Sequence, residues 1–284
     1  MNTAGSLTYV YVVTYRTGLP GDSLVGLHGI GQAPLRFLSP TTDTTDAAPD
    51  AAPGTSLAAL AFVASDVAEE DFNEAALKNH FEDLQWLEHV ARTHHDVVQA
   101  VAARAPVLPL RMATVYQDDH RAGQALAAQR ALFIQRLDQL RAHTEYGVKI
   151  YLRHDATEPP PAAPAPPTSP GKAYLQARRA QSHSREAVYR QAEQAAGAIE
   201  AIASRHATQR VRHAPQRGEL TGPQENVLND AYLIPDDRAG PFQAAIAEAA
   251  GNFPNLRIEV TGPWAPYSFA MPASGRADDP EPSP

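Results

Sequence analysis

The sequence predicts two α+β domains in a chain of 284 residues. Apolar residues recur with a period of two in short segments and at three- and four-residue steps in longer ones, the periods of strands and helices. After residue 142 the pattern restarts as strand, helix, strand, strand, helix, strand, the split βαβ order of a ferredoxin-like domain. We therefore expect an N-terminal α+β domain over 1–142, with a small sheet and long helices, and a ferredoxin-like (βαββαβ) domain over 143–270.

Composition is that of a globular chain with its own core. Hydrophobic residues make up 43% of the sequence, and the formal net charge is −8. No block of lysine or arginine occurs, so nucleic acid is not expected as a partner. The absence of cysteine excludes disulfides and thiolate zinc sites. No apolar stretch approaches the roughly 18 residues of a membrane span and no basic leader is present, so we expect a cytoplasmic protein without a membrane partner.

The first half opens with strands. Leu7–Tyr15 is rich in β-branched and aromatic residues, as buried strands are. Shorter strands are predicted at Leu35–Leu38 and Leu57–Val63. Residues 41–55 are rich in Thr, Asp, Ala and Pro, which predicts a mobile loop.

Two amphipathic helices follow, with a short extended piece between them. The apolar stripe of the first consists of Leu84, Leu87, Val90, His94, Val97 and Val101. Val107–Leu110, next to Pro106, is predicted as an edge strand or an extended piece. The second helix is expected from Asp119 to His143, and its apolar face consists of Leu126, Phe133, Leu137 and Leu140.

The second half begins with a strand in which Val148, Ile150 and Leu152 alternate with polar residues. The proline-rich residues 158–170 predict a polyproline-like surface loop. A long helix is expected over Lys172–His206, with one seam formed by Val188, Ala192, Ala195, Ile199 and Ile202.

Two strands are then predicted at Thr208–His213 and Val227–Ile234, followed by a helix that starts near Asp236. The last strand is expected at Leu256–Val260, with Gly262 and Pro263 ending it. Residues 271–284 are polar and proline-rich, which predicts a disordered tail.

Five residues are candidates for packing or docking. Trp264, Tyr267 and Phe269 lie among prolines, where they either clamp the ferredoxin-like sheet or the domain interface, or form a docking surface. The clamp is favoured because large apolar rings are costly to expose. Trp86 lies among the leucines of the first helix, which favours packing. Arg111 directly follows an apolar segment and is either a structural ion-pair partner, the favoured reading, or a docking arginine.

No catalytic, metal or cofactor site is expected. His89, His94 and His95 lack the i, i+4 spacing of a metal site with two histidine ligands on one helix. His94 falls on the apolar stripe, which favours a hydrogen-bonded histidine in the core. Acidic pairs at the starts of helices are typical of surface charge. No serine lies in a GxSxG context.

Several stretches, in order along the chain, carry a family resemblance. They are Leu84–Arg92 (LQWLEHVAR), Pro106–Tyr116 (PVLPLRMATVY), Glu145–Tyr151 (EYGVKIY), Asp230–Pro235 (DAYLIP) and Leu256–Phe269 (LRIEVTGPWAPYSF). Together they resemble the GvpL/GvpF family of gas vesicle proteins. The chain departs from the family pattern at Ala265, where a second proline is common, and in its segments 41–55 and 158–170.

The resemblance implies a non-enzymatic accessory protein of gas vesicle formation, with two α+β domains of which the second is ferredoxin-like. Its implied partners are the small hydrophobic shell protein and other gas vesicle accessory proteins. In this account the chain shields apolar surface on shell subunits until they join the growing wall. The alternative is a ferredoxin-like small-molecule sensor or enzyme with a site between the domains, which would need a convergent cluster of polar groups.

Overall fold

The computed structural model describes residues 5–17, 19–20, 23–41, 60–80, 82–153, 170–216 and 224–271. Their contacts divide the chain into two compact units. The first unit combines the described residues up to Ala142 with those from Ala265 onward, and the second unit is His143–Trp264. The expected second domain extended to residue 270, whereas Ala265–Ala270 makes its contacts within the first unit.

The first unit contains an antiparallel sheet. Its strands are β1 (Ser6–Tyr15), β2 (Arg36–Leu38), β3 (Leu60–Ala68), β4 (Val107–Pro109) and β5 (Val115–Tyr116). The order is β2-β3-β1-β4, and β5 also pairs with β1. The central strand β1 is buried on both faces, which explains its continuous rather than alternating apolar pattern. β4 lies at an edge of the sheet, as predicted.

The helices of this unit are α1 (Glu69–Phe72), α2 (Glu74–His80), α3 (Leu84–Ala102), α4 (Asp119–Ala128) and α5 (Arg130–Leu140). α3 begins after Asp83, whose carboxylate accepts hydrogen bonds from the amides of Gln85 and Trp86. The predicted stripe of α3 is buried from Val90 onward. Leu84 is 78% exposed, because it lies in the first turn, before the helix reaches the core.

The predicted helix 119–143 is instead two helices. α4 and α5 are separated at Gln129, whose backbone has φ −102° and ψ 11°, and α5 ends at Leu140. His143 already belongs to the next strand. The sequence has neither glycine nor proline at this break, and the helical spacing of apolar residues continues across it. The predicted apolar face is buried in both helices at Leu126, Phe133, Leu137 and Leu140.

The second unit has the predicted order of elements among its described residues. They are β6 (His143–Leu152), α6 (Pro170–His206), β7 (Gln209–Arg212), β8 (Asn226–Pro235), α7 (Ala239–Ala250) and β9 (Leu256–Trp264). The four strands form an antiparallel sheet of order β7-β8-β6-β9. The assignment of this unit to the ferredoxin-like class stays a prediction.

The core of the second unit lies between this sheet and its two helices. The predicted seam of α6 is buried along its length, at Val188, Ala192, Ala195, Ile199 and Ile202. Phe242 and Ile246 of α7 join the same cluster. Pro170, expected in the proline-rich loop, begins α6, a position where its missing N–H costs nothing. The rest of that loop, residues 42–55 of the loop predicted at 41–55 and the tail 272–284 lie outside the described residues.

The last strand runs further than predicted. β9 does not stop before Gly262 but continues to Trp264, which pairs with Glu145. The register shifts opposite Glu145–Gly147, and Gly262 takes φ +119° there. A Cβ at Gly262 would lie 2.8 Å from the Glu145 carbonyl oxygen, so this irregularity needs glycine. Pro263 is tolerated because β9 lies at the sheet edge.

Candidate functional site

A hydrogen-bonded pair, Tyr9 and His94, lies in the core of the first unit. The Tyr9 hydroxyl is 2.9 Å from His94 Nδ1, and His94 Nε2 is 3.2 Å from the Leu110 carbonyl oxygen. A carbonyl only accepts, so Nε2 carries the proton and Nδ1 accepts from the tyrosine. The Tyr9 oxygen also accepts from the Ala113 amide at 2.9 Å. These bonds join β1 and α3 to the segment that follows β4.

Burial sets the charge state of this pair. His94 is 3% exposed, and its burial lowers its pKa from 6.5 to about 4, so the ring is neutral at pH 7. Burial also raises the pKa of Tyr9, which keeps the phenol protonated. His94 is therefore a hydrogen-bonded core histidine, as its place on the apolar stripe predicts. Within the described ranges no group of three or more His, Asp or Glu side chains is arranged to hold a metal ion.

The loop that carries Arg111 is fixed by the core beneath it. The Leu110 amide donates to the Tyr11 carbonyl at 2.9 Å, and the Val10 amide donates to the Thr114 carbonyl at 3.0 Å. Ala113 takes the left-handed φ of +63°, held by its bond to Tyr9. Arg111 is exposed at the tip and forms no ion pair with any other described residue. Arg111 is therefore exposed to solvent on this loop, and its role stays a prediction.

Tyr267 and Phe269 lie in a C-terminal segment, Ala265–Ala270, that packs within the first unit. The Ala265 amide donates to Gln99 Oε1 of α3 at 2.7 Å. The Tyr267 ring stacks on His95, with centroids 6.1 Å apart and planes at 20°. Phe269 is 4% exposed. Both rings pack within the first unit, whereas the expected clamp was on the ferredoxin-like sheet or on the domain interface.

Trp86 packs onto the first core from the start of α3. Its ring stacks on His80, with centroids 4.5 Å apart and planes at 8°, and contacts Phe72 at 5.4 Å. Phe72 in turn packs edge-on against Tyr9 at 5.5 Å. Trp86 is half-buried, so most of its surface serves packing.

Trp264 is the exception among the candidate aromatic residues. It ends β9 in the second unit and is 38% exposed. Of the five candidates, Trp264 and Arg111 are the two that are exposed, whereas Trp86, Tyr267 and Phe269 are buried or half-buried. The periodicity of the sequence could not distinguish the exposed candidates from the buried ones. It gives no information on which part of the protein packs over a proline-rich segment.

Two ion-pair networks were not found by sequence reasoning. In the first unit, Arg36 binds Asp119 through Nε (3.0 Å) and Nη2 (2.6 Å) and Asp66 through Nη2 (2.6 Å), which ties β2 to β3 and α4. Burial alone would raise the pKa of Asp119, but the bonds from Arg36 and Thr8 hold it below its ordinary value.

In the second unit, Asp230 is buried in β8 and accepts from Arg210 at 2.6 Å and from the Tyr232 hydroxyl at 3.1 Å. A buried carboxylate is costly unless it is paired, so Arg210 is expected to be structural. In the sequence, Arg210 and Asp230 are only charged residues on two neighbouring predicted strands. That pattern alone does not predict that the two side chains are in contact.

Comparisons with known proteins agree over nearly the whole chain. The family model of the gas vesicle synthesis proteins GvpL/GvpF matches residues 7–271. Gas vesicle protein L of Streptomyces sp. strain CB03234 is 37% identical over 270 residues, which cover 93% of this chain and 92% of that protein. None of the described helices is both long enough and apolar enough to cross a membrane.

Two crystal structures share the fold. GvpF from Anabaena sp. PCC7120 superposes with a TM-score of 0.59 at 17% identity and covers 94% of this chain and 97% of its own. GvpF from Microcystis aeruginosa gives 0.57 at 18% identity, with 93% and 99% covered. These likenesses show the mixed helix and strand fold, and the sequence matches show the family. The chain therefore belongs to the GvpL/GvpF family of gas vesicle synthesis proteins.

Proposed function

We propose that this chain is an accessory protein of gas vesicle assembly that binds the hydrophobic shell protein and other vesicle proteins. The observation that carries the proposal is the family match, which runs through both compact units rather than one. The perturbed groups of the core have a structural role. The polar atoms of Tyr9 and His94 are engaged within the fold, as in structural rather than catalytic sites.

We place a partner contact on each unit separately, at Arg111 of the first and at Trp264 of the second. Arginine and tryptophan are the residue types that dominate binding energy at interfaces, because each combines a large contact area with a polar donor. The loop of Arg111 is pinned by backbone bonds to β1, so little conformational entropy is lost when it binds. Trp264 offers apolar surface suited to a hydrophobic partner, and Arg111 offers a donor for a partner carboxylate.

The test is retention of the shell protein by the full chain and by two variants. We expect Arg111→Ala and Trp264→Ala each to weaken binding about tenfold, the effect of losing about 1.4 kcal/mol at a contact. Matched controls are Arg92→Ala, an exposed arginine of α3 already paired with Glu88, and Leu84→Ala, an exposed leucine. Unchanged retention by both test variants would move the contact to another surface of the chain.

A further inference from the structure

The N-terminal part of α6 extends beyond the core of the second unit. The helix begins at Pro170, and Val188 is the first of its described residues to be buried. Over residues 175–187, the α6 extension, every described side chain is exposed except Ser184, which is half-buried. An isolated helix of about 13 residues is only marginally stable in water, because most helical stability in proteins comes from packing. The α6 extension is therefore a surface that gains stability when a partner covers it.

The α6 extension is basic in a chain that is acidic overall. It contains Arg178, Arg179 and Arg185, and Arg190 follows on the next turns. Glu186 is the only acidic residue between positions 175 and 190, whereas the whole chain has a formal net charge of −8. None of the four arginines forms an ion pair with another described residue. Their guanidinium groups can therefore bind carboxylates of a partner.

Helical spacing places the four arginines on one side of the helix. With 3.6 residues per turn, Arg178 and Arg185 lie about 20° apart, and all four lie within an arc of about 140°. From Arg178 to Arg190 the helix rises about 18 Å, at 1.5 Å per residue. Cations spread over this distance do not converge on one small anion. They match a partner that carries several negative charges in a row.

An acidic protein segment fits this surface better than other polyanions do. A helix that lies in a membrane surface needs a large apolar face, but Leu175 is the only large apolar residue of the α6 extension. A nucleic acid strand reaches past the helix, where the acidic remainder of the chain repels it. A short acidic segment contacts the basic helix alone, so it avoids this repulsion.

We propose that the α6 extension binds an acidic segment of a partner protein, whose carboxylates pair with the four arginines along one side of the helix. An extended segment of about six residues has the required length, at about 3.3 Å per residue. This contact is distinct from those proposed for Arg111 and Trp264, so it does not depend on binding to the shell protein.

The test uses the full chain and a fluorescently labelled oligoglutamate peptide, with fluorescence anisotropy at low salt as the measurement. Arg178→Glu combined with Arg179→Glu should weaken binding about tenfold, because two attractive contacts become repulsive. The control combines Arg104→Glu with Arg121→Glu, two exposed arginines of the first unit, and changes the net charge equally. This control should lose less than about threefold in affinity, since the α6 extension is unchanged.

Amide hydrogen exchange gives a second readout. The peptide should slow exchange over residues 175–187 of the unmodified chain and leave exchange in α3 unchanged. A single-stranded DNA oligonucleotide and phosphatidylglycerol vesicles should each bind more weakly than the peptide. Failure of the peptide to bind, equal losses of affinity in the test and control variants, or tighter binding of the DNA or the vesicles would overturn the proposal.

Discussion

At the scale of single residues, burial of His94 makes stability depend on pH. Its pKa is lowered from 6.5 to about 4, so the unfolded chain takes up this proton first as the pH falls. The contribution is fully present above about pH 6.5 and is lost progressively down to about pH 4, amounting to about 3 kcal/mol. Urea unfolding across this range should show the loss, and His94→Gln should remove it.

The exposed His89 of the same helix provides the control for this titration. His89→Gln should keep the slope of stability against pH between about 6.5 and 4, since it leaves the buried His94 in place. An unchanged slope in His94→Gln would assign the pH dependence to other groups.

The C-terminal aromatic residues should differ in their effect on stability. Trp264 is 38% exposed, whereas Phe269 is only 4% exposed. Phe269→Ala should therefore cost about 3 kcal/mol, and Trp264→Ala about 1 kcal/mol. Thermal unfolding of the two variants checks the order, and a larger loss for Trp264→Ala would contradict the packing described for both residues.

At the scale of elements, the segment Ala265–Ala270 acts as a clamp on α3. It buries Ala265 and Phe269 and supplies the amide that bonds to Gln99. A chain ending at Trp264 should melt several degrees lower than one ending at Met271, because only the first loses these contacts. Calorimetry of the two truncations measures the difference. Equal melting temperatures would show that the segment adds nothing to stability.

Helices and strands with a regular spacing of apolar residues were predictable from the sequence. The structure differs from the prediction where this spacing does not indicate a break or a bulge. The seam of α6 and the stripe of α3 follow from apolar spacing alone. The break at Gln129 does not, because neither glycine nor proline marks it. The continuation of β9 through Gly262 also breaks a local rule, and it depends on a bulge opposite Glu145 that only the partner strand reveals.

The candidate site was predictable in its residues but not in their roles. Compact aromatic spacing identified Tyr267 and Phe269, yet the surface they cover belongs to residues distant in sequence, such as His95 and Gln99. Arg111 was found by its position after β4. Its exposure depends on the bonds that amides of the loop donate to Tyr9 and Tyr11, and such long-range contacts leave no local signature.

At the scale of the whole molecule, the chain leaves the first unit after Ala142 and returns to it at Ala265. The first unit is therefore discontinuous in sequence. A fragment of residues 1–142 lacks the segment that covers part of α3, so it is a poor substitute for the full chain in binding experiments. Binding to vesicle proteins is best measured with both units present.

The most direct test of the proposed function is a pull-down of the shell protein by the full chain, with Arg92→Ala as the control variant and Arg111→Ala as the test variant. The account predicts that the full chain and the control retain the shell protein and that Arg111→Ala retains about tenfold less. Absence of retention by the unmodified chain would contradict direct binding to the shell protein and would direct attention to other vesicle proteins as its partners.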